Sequence, residues 1–173
     1  GCTYQNGSLT HCIFCEIIAQ DGPAPDALPA LLSRCPQMPV QPLLHKDDRV
    51  AAFWTRSPEC GWHILVTPVQ HHSTVDRFIE VAVADAKQQE KLELLKHMKT
   101  VGDSLLDAAG PAAASDRRHG FHRRGVNSID HMHLHCFGGG FKSWWKDRLV
   151  YNPSFSMLFM IYDAAVEKLQ ASL

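Results

Sequence analysis

The chain has 173 residues, 45% hydrophobic and 20% charged, with a net charge of −1 when its histidines are neutral. That length accommodates one packed domain. The near-zero charge excludes a global basic field for nucleic acid, and no apolar run reaches the ~20 residues needed to cross a bilayer.

Residues 1–11 read as a disordered tail. They lack a charged stretch followed by an apolar run, so no signal peptide is expected. From Cys12 onward, Ile13, Phe14, Ile17 and Ile18 share one helical face. The spacing predicts a short helix with Cys12 and Cys15 near one end. Six cysteines including this Cys-x-x-Cys pair suit a reducing compartment, the cytosol or nucleus, better than a disulfide framework. Residues 21–42 carry six prolines, a density that excludes a regular element and predicts a surface insertion pinned by Leu28, Leu31 and Leu32.

Lys46-Asp47-Asp48 reads as a polar turn, followed by a strand over Arg49–Trp54. A second strand runs from Trp62 to Thr67 and ends at Pro68. The turn Ser57–Gly61 between them predicts an antiparallel pair. His71-His72-Ser73-Thr74 leads toward helical sequence. Leu94, Leu95, Met98, Val101, Leu105 and Leu106 recur at three- and four-residue steps, predicting a long helix over Asp85–Ala109 stopped by Gly110-Pro111. Ala112–Arg118 reads as a link and Gly120–His122 as a strand. A histidine-rich strand follows, ended by Gly138–Gly140. Residues 141–173 form a C-terminal extension. It holds an extended Leu149–Tyr151 and a final helix striped by Phe155, Phe159, Tyr162, Val166 and Leu169. Strands joined by short turns predict an α+β domain over residues 12–173, an antiparallel sheet of about five strands packed by helices, with an extra C-terminal helix.

The chemistry concentrates in His131-Met132-His133-Leu134-His135-Cys136-Phe137. Period two places the three histidines on one strand face and Met132, Leu134 and Cys136 on the other. Alternate strand residues lie about 6.6 Å apart, so three would span about 13 Å and cannot share one ion without strong bending. Their roles must divide. An imidazole with a pKa near 6.5 is largely neutral at pH 7 and can serve as a nucleophile, its neighbours orienting it and binding what it attacks. Phosphorus is a suitable electrophile, because phosphoryl transfer asks mainly for positioning and charge stabilisation. Ser128 could donate to a phosphate oxygen or protonate a leaving group, and the glycine run would let backbone approach a ligand.

This motif resembles the signature of the histidine triad (HIT) family. Cys12–Ala19 is similar to the N-terminal segment of many members. Asp47–Phe53 and Trp62–His71 resemble the first two strands of the Hint branch, and Arg148–Leu169 resembles the Hint subgroup with an added C-terminal helix. The resemblance implies a HIT-like sheet and cleavage of adenosine 5′-phosphoramidates through a nucleotidyl-histidine intermediate. His133 would be the nucleophile, His135 the contact to phosphate and leaving group, Ser128 the donor to a leaving amine, and His63 the histidine packed against the triad. It also implies a structural zinc held by Cys12, Cys15, His71 and His131, with His72 competing for the third place, and a homodimer. A purine nucleotide of the AMP type is the expected substrate, with no membrane or nucleic-acid partner. Phe53, Thr55, His122 and Asn127 are the candidates for substrate contacts. Thr55 stands where Hint proteins commonly have a ribose-binding aspartate, and the usual Hint asparagine before the triad is missing. Dinucleoside polyphosphates, 5′-adenylated nucleic-acid ends, or nucleotide binding with little turnover are the alternatives. Arg117, Arg118, Arg123 and Arg124 add positive charge that could attract a more anionic substrate.

Overall fold

The computed structural model describes residues 1–24, 26–33, 35, 41–81, 83–152 and 157–172. The chain opens with a hairpin rather than a disordered tail: β1 (Cys2–Gln5) pairs antiparallel with β2 (Ser8–Cys12). Asn6 and Gly7 join them, both with positive φ (51° and 79°). This is the turn whose twist matches two antiparallel strands, and Asn-Gly adopts it at little strain. Helix α1 (Ile13–Ile18) follows at once and buries Phe14, Ile17 and Ile18, as its spacing predicts.

Within the proline-rich segment a short helix α2 (Leu28–Leu32) forms after all, with Pro29 in its first turn, where a missing N–H costs nothing. Leu32 is buried, and the Trp54 indole donates to the Leu31 carbonyl at 2.8 Å. Arg34 and residues 36–40 lie outside the described residues.

The main sheet has six antiparallel strands in the order β3–β4–β5–β7–β6–β8. These are β3 (Leu43–Lys46), β4 (Val50–Trp54), β5 (Cys60–Pro68), β6 (Arg118–His122), β7 (Leu134–Phe141) and β8 (Phe159–Ile161). The sheet exceeds expectation at both edges, because β3 and β8 are too short to carry a period of their own.

Between β5 and β6 lie α3 (Val75–Glu80), α4 (Asp85–Ala108) and α5 (Pro111–Ala114). The Thr74 hydroxyl caps α3 by accepting from the Arg77 amide. Gly110 ends α4 at φ 104°, and Pro111 starts α5 where a link was expected. The C-terminal extension forms α6 (Trp144–Leu149), β8 and α7 (Tyr162–Gln170). Leu149 is thus helical rather than extended. Phe159 belongs to a strand, Phe155 lies outside the described residues, and Tyr162 and Leu169 are the stripe positions that α7 buries.

One sheet face carries Ala52, Trp54, Ile64, Val66, Leu134 and Cys136 against Leu95, Met98, Leu105 and Leu106 of α4. Burying each large side chain there contributes roughly 1.5–3 kcal/mol. The α4 helix lies so close to β7 that Gly102 has no room for a Cβ beside the Cys136 sulfur. The other face carries Ala51, Phe53 and Leu65 against α1. On this second face the register aligns Phe53, Leu65 and His135 in one row across β4, β5 and β7. Gly138–Gly140 do not end β7. The strand runs on to Phe141, with Gly139 and Gly140 taking positive φ that other residues resist.

Candidate active site

The β7 ladder begins at Leu134, so His135 stands on the strand while His131 and His133 lie in the segment leading into it. Alternation survives this shift. Met132, Leu134 and Cys136 are buried in the core beneath, and all three histidines face the α1 side. Backbone anchors hold the lead-in: the Thr67 hydroxyl donates to the Met132 carbonyl at 2.8 Å, and the Met132 amide donates to His72.

The hydrogen-bond partners fix a tautomer for each imidazole, because a carbonyl can only accept and an amide can only donate. His133 Nδ1 lies 2.6 Å from the His131 carbonyl, so it carries the proton and donates. Nε2 of His133 then holds a lone pair. The Glu59 amide donates to His63 Nδ1 at 3.2 Å, which leaves the proton on His63 Nε2. That N–H donates to His135 Nδ1 at 2.8 Å. His135 therefore carries its proton on Nε2, which is buried without a hydrogen-bond partner among the described residues. A bare nitrogen on His133 and an N–H on His135 sit side by side, ring centroids 4.8 Å apart.

Burial holds these rings neutral. Loss of hydration brings the His63 pKa down to about 3 and that of His133 to about 4, and moves His135 well below its ordinary value. His133 is thus an uncharged base from neutral pH well into the acid range, with no carboxylate needed beside it.

His63, His133 and His135 line a cavity of about 600 Å³. Ile13, Phe14, Ile17, Phe53, Leu65 and Ile129 form its apolar wall, and Thr55, Ser57, Glu59, His122 and Ser128 its polar rim. Phe14 stands edge-on to both Phe53 (5.0 Å) and His133 (5.1 Å). The His122 ring meets His135 edge-to-face at 4.6 Å and packs against Tyr151 and Phe159.

Asn127 does not join the lining. Its amide accepts from Gly125 and donates to the Ile129 carbonyl, bracing its own loop. Nor do Arg117, Arg118, Arg123 and Arg124 line it. Three of them are bound elsewhere: Arg117 to Asp103 and Asp107, Arg118 to Asp147, and Arg123 to Asp76. Among the described residues the arginine in the lining is Arg56, which the sequence did not single out, nor did it single out Gln41, Glu59 and Tyr151 as lining.

A second cluster lies behind His133. Sulfurs of Cys12 and Cys15 and ring nitrogens of His71 and His131 all fall within 4.8 Å of one another. His131 Nδ1 is 3.5 Å from Cys12 Sγ and 3.6 Å from Cys15 Sγ, and His71 Nδ1 is 3.6 Å from Cys15 Sγ. Metal–ligand bonds of about 2.0–2.3 Å in a tetrahedron imply edges of about 3.3–3.8 Å, so the donors are spaced for one ion. His131 Nε2 donates to the Pro68 carbonyl at 3.0 Å, which turns its Nδ1 lone pair toward the sulfurs. His72 points away, its ring edge-on to Phe78 at 4.9 Å. Without a cation the Cys15 thiol resists ionisation: burial first, then neighbouring Cys12, pushes it up to about 11.

Comparison with known proteins agrees with this geometry. A family model described as "Scavenger mRNA decapping enzyme C-term binding" matches residues 33–150. The bifunctional adenosine 5′-phosphosulfate phosphorylase/adenylylsulfatase HINT4 of Arabidopsis thaliana is 36% identical over 135 residues, 78% of this chain and 75% of that protein. Adenosine 5′-monophosphoramidase HINT3 of Xenopus tropicalis is 31% identical over 130 residues, 75% of this chain and 78% of that protein. In fold, the chain is similar to a HIT family hydrolase from Legionella pneumophila. The TM-score is 0.54 at 23% identity, covering 78% of this chain and 97% of that one. Triad spacing, sheet and relatives converge: the chain belongs to the histidine triad (HIT) family of hydrolases.

Proposed function

We propose that the chain cleaves adenosine 5′-phosphoramidates by way of a nucleotidyl-histidine intermediate. The observation that carries this reading is the pair of opposed tautomers, a lone pair on His133 Nε2 beside an N–H on His135 Nε2. His133 Nε2 attacks the α-phosphorus, and the P–N bond to the amine breaks. The departing amine needs a proton, which the Ser128 hydroxyl helps deliver. His135 Nε2–H donates to the phosphate and the leaving group, where negative charge grows. Water then attacks the phosphorus and gives up a proton that restores the Ser128 hydroxyl, the bond to His133 Nε2 breaks with its electron pair returning to that nitrogen, and AMP leaves. The apolar wall of Phe14, Ile17 and Phe53 suits a nucleobase. Thr55 offers the ribose a neutral hydroxyl, a weaker contact than a charge-assisted one. The test is a fluorogenic adenosine phosphoramidate with wild type and His133→Ala; equal turnover by the two would leave only nucleotide binding.

Arg56 favours a second reading, in which the leaving group is itself anionic. A relative named as an adenylylsulfatase makes adenosine 5′-phosphosulfate the compound to try. A higher kcat/KM for it than for the phosphoramidate, lost in Arg56→Ala, would select this reading.

Cys12, Cys15, His71 and His131 would hold a structural zinc, a closed Cys₂His₂ set that ties α1, the β5–α3 loop and the triad segment together. Metal analysis of the purified protein and of Cys12→Ser tests it. No disulfide joins the six cysteines, which fits a reducing compartment such as the cytosol or nucleus, and no helix among the described residues is long and apolar enough to cross a membrane. The homodimer that the family resemblance implies is open to sedimentation velocity.

A further inference from the structure

The hairpin β1–β2 forms a sheet of its own, with no ladder to the six-stranded sheet. Two isolated strands are marginal in water, so side chains must hold the hairpin in place. Cys2 and Cys12 pack on the α1 side of the body, and Tyr4 reaches it through its hydroxyl. That hydroxyl lies 2.6 Å from Asp130 Oδ2 and 3.3 Å from His71 Nε2.

A phenol has one proton. Given to the Asp130 carboxylate, it is not available to His71, so the second contact requires His71 Nε2 to donate to the Tyr4 oxygen. That places the His71 proton on Nε2 and leaves a lone pair on Nδ1, the atom 3.6 Å from Cys15 Sγ. Asp130, Tyr4 and His71 thus form a chain of carboxylate, phenol and imidazole ending in the metal cluster. Carboxylates commonly orient metal-bound histidines through the far ring nitrogen; here a tyrosine from a separate hairpin is interposed. The other imidazole, His131, needs no such help, because the Pro68 carbonyl already holds it.

The same hairpin borders the cavity. Gly1 and His11 belong to its lining, and Gly1 packs beside the Ser128 carbonyl. We propose that Tyr4 is a positioning residue for the metal cluster, fixing the His71 tautomer and fastening the N-terminal hairpin against the nucleotide cavity. This rests on the metal reading of the cluster.

The test uses the full chain and Tyr4→Phe, which keeps the ring and removes only the hydroxyl. Zinc affinity is measured by competition with a chromophoric chelator, and the His71 tautomer in metal-free protein by NMR of the ring nitrogens. Tyr4→Phe should lose about 10-fold or more in zinc affinity, and His71 should change from one tautomer to a mixture. Leu9→Ser, a change at the exposed residue opposite Tyr4 in the hairpin, should alter neither. Equal zinc affinity in Tyr4→Phe and wild type overturns the role of Tyr4 and leaves the metal site standing. An equal loss in Leu9→Ser also overturns it, because loosening the hairpin would then explain the effect. A wild type that binds no zinc overturns both.

Discussion

His131 and His133 are two residues apart, both buried and both neutral, yet they present different nitrogens to different surroundings. His131 gives its Nε2 proton to Pro68 and turns Nδ1 toward two thiols. His133 gives its Nδ1 proton to the carbonyl of His131 and turns Nε2 toward the cavity. One backbone carbonyl in each case decides which atom is left to react. The proposed division of labour within the triad rests on the partner each ring finds on its far side, not on the histidines themselves.

The hardest blow to this comparison is on the reactive side. His133→Ala should lose at least about 100-fold in phosphoramidate turnover, the scale of removing a nucleophile. Cys12→Ser, or a chelator, attacks the other side. It should lower Tm by roughly 5–15 °C through loss of a bound ligand, while a fold that ignores chelation would break the proposed division. His63 tests the far-side argument itself. His63→Leu should cost about 10–100-fold in kcat by freeing the His135 tautomer, and His63→Gln, which can still donate, should cost less. Thr55→Asp should lower KM by about fivefold if Thr55 faces the ribose, since a carboxylate adds about 1 kcal/mol over a neutral acceptor.

Acid sharpens the comparison more gently. His63, His119 and His133 sit at about 3, 4 and 4 in the folded chain, against 6.5 when exposed, with burial the first cause in each. Below pH 6.5 the unfolded chain takes up protons that the folded chain refuses. Stability from these groups is therefore complete above about pH 6.5 and falls as pH drops toward 4. Melting curves at pH 7, 6 and 5 should show a steepening fall in Tm; a rise on acidification would contradict the neutral rings.

Much of this was legible in the sequence. Period two named the triad and its core-facing partners, and period 3.6 named α4. Asn6-Gly7 was a legible hairpin signal too, though the polar residues around it read as a tail. Other features were not local. The strands β3 and β8 exist because the sheet edge offers partners, not because four or three residues carry a pattern. Gly139 and Gly140 read as a stop but lie within a strand: their positive φ accompanies a shift of register between Gly138 and Phe141, after which β7 pairs with β5 again. Arg117, Arg118 and Arg123 read as a charged approach to the site, but each finds a carboxylate elsewhere in the fold. Asn127 had the right chemistry for a ligand and spends it on its own loop. Tautomers lie furthest from sequence, because they depend on carbonyls supplied by Pro68 and by the bend before Leu134.

The most direct measurement is to quench the protein during turnover of an adenosine phosphoramidate and locate the adduct by fragmentation mass spectrometry. An AMP adduct on His133, absent in His133→Ala, is the predicted result. An adduct on His131 or His135, or turnover by wild type without any adduct on His133, would contradict the account.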